Sequence, residues 1–435
     1  MKPFFIKLIL LLMIVSVMTV ALSVFSPRPV VPTDAEVNAD GELVLYYSDG
    51  SQKNLGKVEG KQGESGEKGS AGSIGESGAD GKDGEITIVT DSSSIPFATA
   101  KAIRSVVSIM CTYEQSTTSS AGSGVIYQYD KSKGEAFIIT NYHVVFNEQT
   151  GKISDDINVH LYSSDYTDNY ITAEYVGGSP TNDIAVLHVT NSRILMESDC
   201  TAATLADSEK QPIGSTAIAI GNPARMGISA SCGIISVDSE YINMSSVNGM
   251  DKVQLRVMRI DTAVNSGNSG GGLYNASGEL IGIVTAKSSL DSTENIAYAI
   301  PSNLAIAIAD NIYRNCYQTT SDNTFALRAN FGVTVSIYES RSIYDNSTGH
   351  IDIEETVQVS KISQTSGLAR NKLQEGDIFL SVTVGDKTTK ITRTYHVLDV
   401  AVSAKVGDVV TFNILRNGQE HSVSMTVTAG DLKSC

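Results

Sequence analysis

Glycine occupies every third position from Gly60 to Gly84 without a break. Such a Gly-X-Y repeat is typical of the collagen triple helix, in which only glycine fits beside the common axis. The tract contains no proline, which normally preorganises collagen strands in the polyproline II conformation. Two interpretations stay open: a collagen-like stalk of three chains, and a flexible, charged, glycine-rich spacer.

An uncharged, apolar segment from Leu8 to Phe25 precedes this repeat. As a helix it would span roughly 27 Å at about 1.5 Å per residue, close to the thickness of a bilayer core. Lys2 and Lys7 come before it and no positive cluster follows, which predicts a cytoplasmic N-terminus. We expect residues 1–26 to form an uncleaved signal anchor; a cleaved signal peptide is the alternative, and either one exports the remaining chain.

The composition excludes one class of partner and predicts no cofactor. The formal net charge is −16, and the absence of a basic stripe in the sequence argues against a nucleic-acid partner. The five cysteines are scattered, without C-x-x-C or Cys/His metal spacing. We therefore predict no metal or organic cofactor, and the sequence does not indicate how the cysteines would pair.

Short β-rich runs separated by turn residues dominate the chain from about Phe97 onward, which indicates a β-barrel or a β-sandwich. A helical pattern follows over 302–317, and a second compact domain starts near Phe331. Residues 27–59 are predicted as a polar linker with a hairpin at 43–50. The main β-rich runs are Gly124–Tyr127, Ala136–Thr140, Ile184–Leu187, Ala217–Ile220, Gly233–Ser236 and Leu280–Val284.

Three residues, His143, Asp183 and Ser269, have the types and the chain order of an acyl-transfer triad. His143 follows one apolar run, Asp183 opens another, and Ser269 lies in the glycine-rich stretch Asn265–Leu273. The order His, Asp, Ser is that of the trypsin-like double barrel and differs from the orders in subtilisin and the α/β-hydrolases. Each residue alone has a structural explanation, but their combination favours catalysis.

Each of these residue types has a chemical task in acyl transfer. Serine is a weak nucleophile at neutral pH, so His143 would take its proton and return it to the leaving amine. Asp183 would hold the imidazole in the required tautomer. The glycines would let backbone N–H groups of the segment Gly267, Asn268 and Ser269 face a developing oxyanion, at roughly 3–4 kcal/mol for each donor.

Six motifs carry a resemblance to a known family: Ser123–Ile126, Thr140–Val145, Asn182–Leu187, Ile220–Pro223, Thr262–Gly271 and Tyr298–Pro301. With them, residues from about 97 to 430 resemble the HtrA/Deg family of trypsin-like serine proteases with a C-terminal PDZ domain. The family usually has proline where Ser266 and Gly272 stand, which concerns the rigidity of the loop and no catalytic group. The resemblance implies a mostly β fold, with a double β-barrel protease domain over 95–318 and a PDZ domain over 326–432.

The same resemblance assigns a specificity pocket. It places Ala263 near the pocket floor and Thr285 and Ala286 on the strand that flanks it. No carboxylate stands at the floor position, so we expect cleavage after small or medium aliphatic residues and not after Arg or Lys.

The C-terminal region resembles a PDZ domain in three places. Asn330–Val333 is similar to the carboxylate-binding loop, so Phe331, Gly332 and Val333 would capture a peptide C-terminus, which then adds as a strand to the sheet edge. Gly367–Ile378 and Val406–Gly418 are similar to the core and the closing strands of the domain.

These residues predict a membrane-anchored, extracytoplasmic serine endopeptidase that cleaves unfolded or misfolded exported proteins, as members of this family do. We expect a homotrimer, because the family assembles as trimers and a collagen-like tract also requires three chains. The alternative is a surface scaffold or chaperone-like holdase with latent proteolysis, since resting family members can have a collapsed oxyanion loop.

Overall fold

The computed structural model describes residues 32–37, 42–57, 94–113, 119–162, 170–223, 226–287, 296–319, 323–346 and 350–435. The chain divides into two compact units, Met1–Glu85 and Ile86–Cys435. The predicted signal anchor and the Gly-X-Y tract lie outside the described residues. None of the helices within these ranges is long and apolar enough to cross a membrane.

The described part of the first unit is a small antiparallel sheet with the strand order β1–β2–β3. A tight turn joins β2 to β3, and Gly50 adopts a φ of 82° in it, a conformation that glycine reaches without steric cost. β2, β3 and the turn between them form a hairpin in the region of the one expected at 43–50, and β1 adds a third strand. The strands are β1 (Pro32–Val37), β2 (Glu42–Tyr47) and β3 (Gln52–Lys57).

The second unit begins with helix α1 (Ile95–Ala102) and a closed barrel with the strand order β10–β11–β6–β5–β4–β9. Every residue of β11 is buried, which explains why this strand reads as a continuous apolar run. Two short helices, α2 (Tyr142–Val145) and α3 (Arg193–Glu197), follow β6 and β11. The strands of this half are β4 (Val106–Thr112), β5 (Ser119–Asp130), β6 (Glu135–Thr140), β7 (Phe146–Asn147), β8 (Lys152–Ile153), β9 (Asp156–Leu161), β10 (Ile171–Ser179) and β11 (Ile184–Val189).

A second closed barrel follows with the strand order β12–β13–β14–β17–β16–β15. All of the predicted β-rich runs lie within strands of the two barrels, so the predicted β-barrel architecture is confirmed. The strands are β12 (Thr216–Gly221), β13 (Ser229–Ser245), β14 (Lys252–Ile260), β15 (Gly272–Tyr274), β16 (Leu280–Lys287) and β17 (Ala297–Pro301).

Helix α4 (Ser302–Ile312) packs against both barrels. Its buried residues Leu304, Ile308 and Ile312 recur every four positions and therefore share one face. They join a core to which both barrels contribute, including Ile139 and Ile220. The predicted helix over 302–317 is confirmed for its first part, and a wider helical turn over Tyr313–Tyr317 ends it.

The remaining residues form a C-terminal β domain around a separate apolar core. Its main sheet has the order β19–β20–β21–β23–β24, with β22 paired to β21, so β19 is an edge strand. Helix α5 (Tyr395–Ser403) packs on this sheet. The strands are β18 (Leu327–Ala329), β19 (Val333–Asp345), β20 (His350–Ile362), β21 (Ile378–Val384), β22 (Lys387–Lys390), β23 (Val409–Arg416), β24 (Gln419–Thr426) and β25 (Leu432–Ser434).

A charged contact holds α5 against the second barrel. Arg256 of β14 pairs with the carboxylate of Asp399, and its guanidinium carbon lies 3.4 Å from the ring centroid of Tyr395. Arg393 donates to Asp238 Oδ2 at 2.8 Å beside it. Because the Arg256 side chain is only 4% exposed, this is a buried interface and not a surface ion pair.

Candidate active site

Asp183 occupies the turn between β10 and β11, and its backbone conformation is unusual. Its φ of 52° lies in the left-handed region, which few residues other than glycine adopt. The residue is almost fully buried, with 2% of its surface exposed. Such a combination of backbone strain and a buried carboxylate is typical of a functional site.

The carboxylate of Asp183 accepts hydrogen bonds from both barrels. His143 Nδ1 lies 2.8 Å from Asp183 Oδ2, and the backbone N–H of His143 donates to Oδ1 at 3.0 Å. From the second barrel, the Thr285 hydroxyl donates to Oδ2 at 2.7 Å. The carboxylate is therefore fixed between a histidine of the first barrel and a threonine of the second.

Asn141 is a further residue at this site, and its role is not predicted from the sequence. It has no exposed surface (0%), and its Nδ2 donates to the backbone carbonyl of Asp183 at 2.8 Å. This bond holds the carbonyl in the direction that the left-handed conformation of Asp183 imposes. The motif Thr140–Val145 contains Asn141, but the motif alone does not indicate a contact with a residue 42 positions away.

His143 lies on the short helix α2, directly after the buried strand β6. Its side chain is 34% exposed, so part of the ring is accessible to a substrate. Burial lowers the pKa of His143, but the carboxylate of Asp183 outweighs this effect, and the pKa lies above its ordinary value of 6.5. The imidazole is therefore a stronger base than that of a free histidine, which suits a general base.

The loop over residues 265–271, here called the serine loop, carries Ser269 and turns tightly at its glycines. Gly267 and Gly270 have φ values of 102° and 83°, which side chains other than glycine rarely adopt. In the described part of the chain, the N–H groups of Gly267 and Ser269 donate to no backbone carbonyl. The N–H of Asn268, between them, donates to the backbone carbonyl of Asn265 at 3.0 Å. The assignment of this segment to the oxyanion stays a prediction.

Close packing also requires two glycines of this loop. A Cβ on Gly270 would lie 2.2 Å from the carbonyl oxygen of Ser123 and 2.3 Å from Thr140 Oγ1. A Cβ on Gly271 would lie 2.4 Å from the carbonyl oxygen of Ile220. Since Thr140 directly precedes the segment Asn141–His143, the contact at Gly270 brings this loop of the second barrel against the segment that carries His143.

Gly272, which stands where the family has proline, has a neighbour that accounts for it. A Cβ on Gly272 would lie 2.3 Å from the ring of Tyr274. This ring is fully buried, and its hydroxyl is 2.9 Å from Ser105 Oγ. The aromatic ring therefore fills the space that a side chain at 272 would need. Ser266, the other departure from the family pattern, is exposed.

The residues predicted for the specificity pocket have different environments. Ala263 is exposed, and its carbonyl accepts a hydrogen bond from Ser231 Oγ at 2.7 Å. Thr285 is buried and directs its hydroxyl to Asp183, so its side chain contacts the candidate triad, a contact that is not predicted from the sequence. The side chain of Ala286 lies outside the described part of the chain.

A second candidate site is a groove of about 520 Å³ between β19 and α5. The predicted residues Phe331, Gly332 and Val333 line it, where the chain passes from β18 into β19. Gly332 has a φ of 70°, and a Cβ there would lie 2.4 Å from the carbonyl oxygen of Ser366. The apolar side chains along the groove are Val335, Ile337, Val397, Leu398 and Ala401.

Comparison with known proteins supports one family. The Trypsin-like peptidase domain family matches residues 122–283, a range that contains all three candidate triad residues. A relative described as "Serine protease Do-like HtrA" from Lactococcus lactis subsp. lactis is 31% identical over 327 residues, which are 73% of each chain. "Periplasmic serine endoprotease DegP" from Escherichia coli (strain K12) is 29% identical over 306 residues, which are 70% of this chain and 56% of that protein.

The fold agrees with these sequence matches. The solved structure "HtrA-type protease AlgW with tripeptide" is 26% identical, with a TM-score of 0.51, and the similarity covers 78% of this chain and 97% of that one. The match extends over the barrels and into the C-terminal β domain, as its coverage requires. The chain is therefore a member of the HtrA family of trypsin-like serine endopeptidases.

Proposed function

We propose that His143, Asp183 and Ser269 form the catalytic triad of this endopeptidase. The observation that carries the proposal is the carboxylate of Asp183, which lies 2.8 Å from His143 Nδ1 and accepts a hydrogen bond from Thr285. This arrangement keeps a proton on Nδ1, so that Nε2 is free to act as the base. The packing of Gly270 against the segment before His143 supports a position for Ser269 beside the imidazole.

In acylation, Nε2 of His143 removes the proton of the Ser269 hydroxyl while the oxygen attacks the scissile carbonyl carbon. The carbonyl oxygen then carries a negative charge, which we assign to the N–H groups of Gly267 and Ser269, with Asn268 forming the turn between them. The imidazolium gives its proton to the amine nitrogen as the C–N bond breaks. Water repeats the sequence on the acyl-enzyme and regenerates the serine.

The pocket assignment is the second part of the proposal. Ala263 would form the floor, and the strand that carries Thr285 and Ala286 would form one wall. Because the Thr285 side chain is directed to Asp183, its contribution to the wall comes from its backbone. A floor without a carboxylate favours small or medium aliphatic residues before the scissile bond.

We further propose that residues 326–432 form a PDZ domain that binds C-terminal peptides. The edge strand β19 would pair with the peptide backbone, and the N–H groups at Phe331, Gly332 and Val333 would bind the terminal carboxylate. The apolar groove between β19 and α5 suits aliphatic side chains of such a peptide. Binding there would dock substrates or regulate the protease domain, which we place at residues 95–318.

We propose that the protease acts outside the cytoplasm. An anchor over 1–26, followed by a linker over 27–59 and the Gly-X-Y tract over 60–84, would place the protease outside the cytoplasm. The name of the periplasmic relative DegP supports this setting. We propose unfolded exported proteins as substrates, in protein quality control, and a homotrimer as the assembly.

Cleavage of an unfolded, exported-type protein by the purified chain tests the function. The matched control is Ser269→Ala, which removes one oxygen and keeps the fold. We expect fragments that end in aliphatic residues and a loss of activity of several orders of magnitude in the variant. Suppression of aggregation with equal strength by both forms, without cleavage by either, would favour the holdase alternative.

A further inference from the structure

Ser123 is a buried residue without a role in the proposed acylation steps. It contacts the loop over residues 265–271, which carries Ser269. It belongs to β5 of the first barrel, and it has no exposed surface (0%). The loop that it contacts belongs to the second barrel and carries Ser269. A fully buried serine normally has hydrogen-bond partners for its hydroxyl, so its partners indicate its task.

Ser123 binds the loop on both sides of Asn268. Its hydroxyl donates to the carbonyl oxygen of Gly267 at 2.7 Å. Its backbone N–H donates to the carbonyl oxygen of Ser269 at 2.8 Å. The two carbonyls that it fixes therefore belong to the two residues whose N–H groups we assign to the oxyanion.

The direction of the hydroxyl proton is determined by a further neighbour. The backbone N–H of Asn222 donates to Ser123 Oγ at 2.8 Å, so the oxygen is the acceptor in that bond. A serine hydroxyl has a single proton and two lone pairs. The proton is therefore available to Gly267, and the hydroxyl links the end of β12 to the serine loop.

Three glycines pack closely against Ser123, and a side chain on any of them would collide with it. A Cβ on Gly221 would lie 2.9 Å from Ser123 Oγ, and a Cβ on Gly271 would lie 3.2 Å from Ser123 Cβ. A Cβ on Gly270 would lie 2.2 Å from the Ser123 carbonyl oxygen. Two of these glycines are the ones that directly follow Ser269, so the dense glycine sequence and the buried serine belong to one packing arrangement.

Gly267 needs such an external contact because glycine rotates freely about its backbone bonds. Its φ of 102° is accessible to glycine, and glycine has no side chain that could hold it there. A rotation that turned its N–H away from the oxyanion would also displace the adjoining peptide group, between Gly267 and Asn268, whose carbonyl Ser123 binds. The bond from Ser123 to the Gly267 carbonyl opposes that displacement.

We propose that Ser123 is a positioning residue for the oxyanion hole, which holds Gly267 through its hydroxyl and Ser269 through its backbone N–H. This inference rests on the proposed function, since it assumes that Gly267 and Ser269 bind the oxyanion. In this arrangement, a residue of the first barrel holds the serine loop of the second barrel, across 144 positions of the chain.

The test compares Ser123→Ala with Ser108→Ala in the full chain, beside wild type and Ser269→Ala. Ser108 is an equally buried serine (0%) on the neighbouring strand β4, where its hydroxyl binds the Asn222 side chain. Both variants lose one buried hydroxyl and should lose similar thermal stability. The readouts are kcat and KM on an unfolded protein or peptide, and inhibition by a peptide boronate, whose tetrahedral adduct places an oxygen in the oxyanion hole.

For Ser123→Ala we expect kcat to fall by roughly 10²-fold, the smaller effect seen when an oxyanion donor is lost, with KM almost unchanged. Boronate inhibition should weaken in parallel, whereas Ser108→Ala should keep both values. Equal kcat values in the two variants, with wild type active and Ser269→Ala inactive, would overturn the inference and leave the proposed function intact. An inactive wild type, or an active Ser269→Ala, would overturn the proposed function and the inference with it.

Discussion

Replacement of Asp183 by asparagine is the sharpest test of the triad geometry. The two carboxylate oxygens face donors only: Oδ1 accepts the His143 backbone N–H at 3.0 Å, and Oδ2 accepts from Thr285 at 2.7 Å and lies 2.8 Å from His143 Nδ1. An asparagine amide must place its NH₂ group at one of these positions. Either orientation therefore sets a donor against a donor.

The two orientations have different consequences. With NH₂ at the Oδ1 position, the partly buried N–H of His143 loses its acceptor, at a cost of up to about 1–3 kcal/mol. With NH₂ at the Oδ2 position, the Thr285 hydroxyl can rotate, and His143 can accept the amide proton on Nδ1. The ring proton then moves to Nε2, where it prevents uptake of the serine proton. We expect kcat to fall by roughly 10⁴-fold, which corresponds to about 5.5 kcal/mol in the activation barrier.

The pH profile of Asp183→Asn gives a second, independent readout. In the wild type, the charge of Asp183 raises the pKa of His143 against the opposing effect of burial. The base acts in its neutral form, so kcat/KM rises with pH through that pKa. Without the charge, burial remains and lowers the pKa, and the acidic limb of the profile should move to lower pH. A variant within tenfold of wild-type kcat, or with an unshifted acidic limb in a stopped assay from pH 4 to 9, would refute this reasoning.

Three further predictions concern the surroundings of the triad and the groove. Asn141→Ala leaves the buried carbonyl of Asp183 without its donor, so we expect about 1–3 kcal/mol less stability. The control is Asn311→Ala, because Asn311 is equally buried (0%) and donates to the carbonyls of Val402 and Leu327. In steady-state assays, kcat should fall more for Asn141→Ala than for Asn311→Ala. Gly270→Ala places a Cβ 2.2 Å from the Ser123 carbonyl at a φ of 83°; thermal denaturation should show a loss of more than about 1 kcal/mol, and a stable, active variant would contradict the packing argument. A peptide with an aliphatic C-terminal residue should bind the groove roughly 10–100-fold more tightly as a free acid than as an amide, because charged hydrogen bonds contribute about 1.5–3 kcal/mol; equal affinities in fluorescence anisotropy would argue against carboxylate recognition at Phe331–Val333.

Much of the fold could be predicted because its signals are local. Six strands of the two barrels contain a short apolar run, and β11 reads as a continuous apolar run because all of its residues are buried. The types and order of His143, Asp183 and Ser269 indicated the chemistry in the same way. The hairpin at 43–50 carried its own turn residues.

The supporting residues could not be predicted because their contacts are not local. Thr285 reaches Asp183 across 102 positions, and Ser123 reaches Gly267 across 144. Such contacts exist only after each barrel has closed and the two barrels have packed together. A threonine on a strand and a serine beside a glycine have no pattern that distinguishes them from ordinary core residues, so their roles follow from the structure alone.

The left-handed conformation of Asp183 limits which substitutions this position could accept during evolution. Other hydrolase folds exchange aspartate and glutamate in the acidic position of the triad. Here a glutamate would have to adopt a φ near 52°, where only short side chains such as Asp and Asn are common. Its additional methylene would also shift the carboxylate, which at present lies within hydrogen-bond distance of both His143 and Thr285. In a saturation library selected for proteolysis, we therefore expect aspartate alone to survive at this position, even though its neighbour Asn182 faces no such restriction on φ.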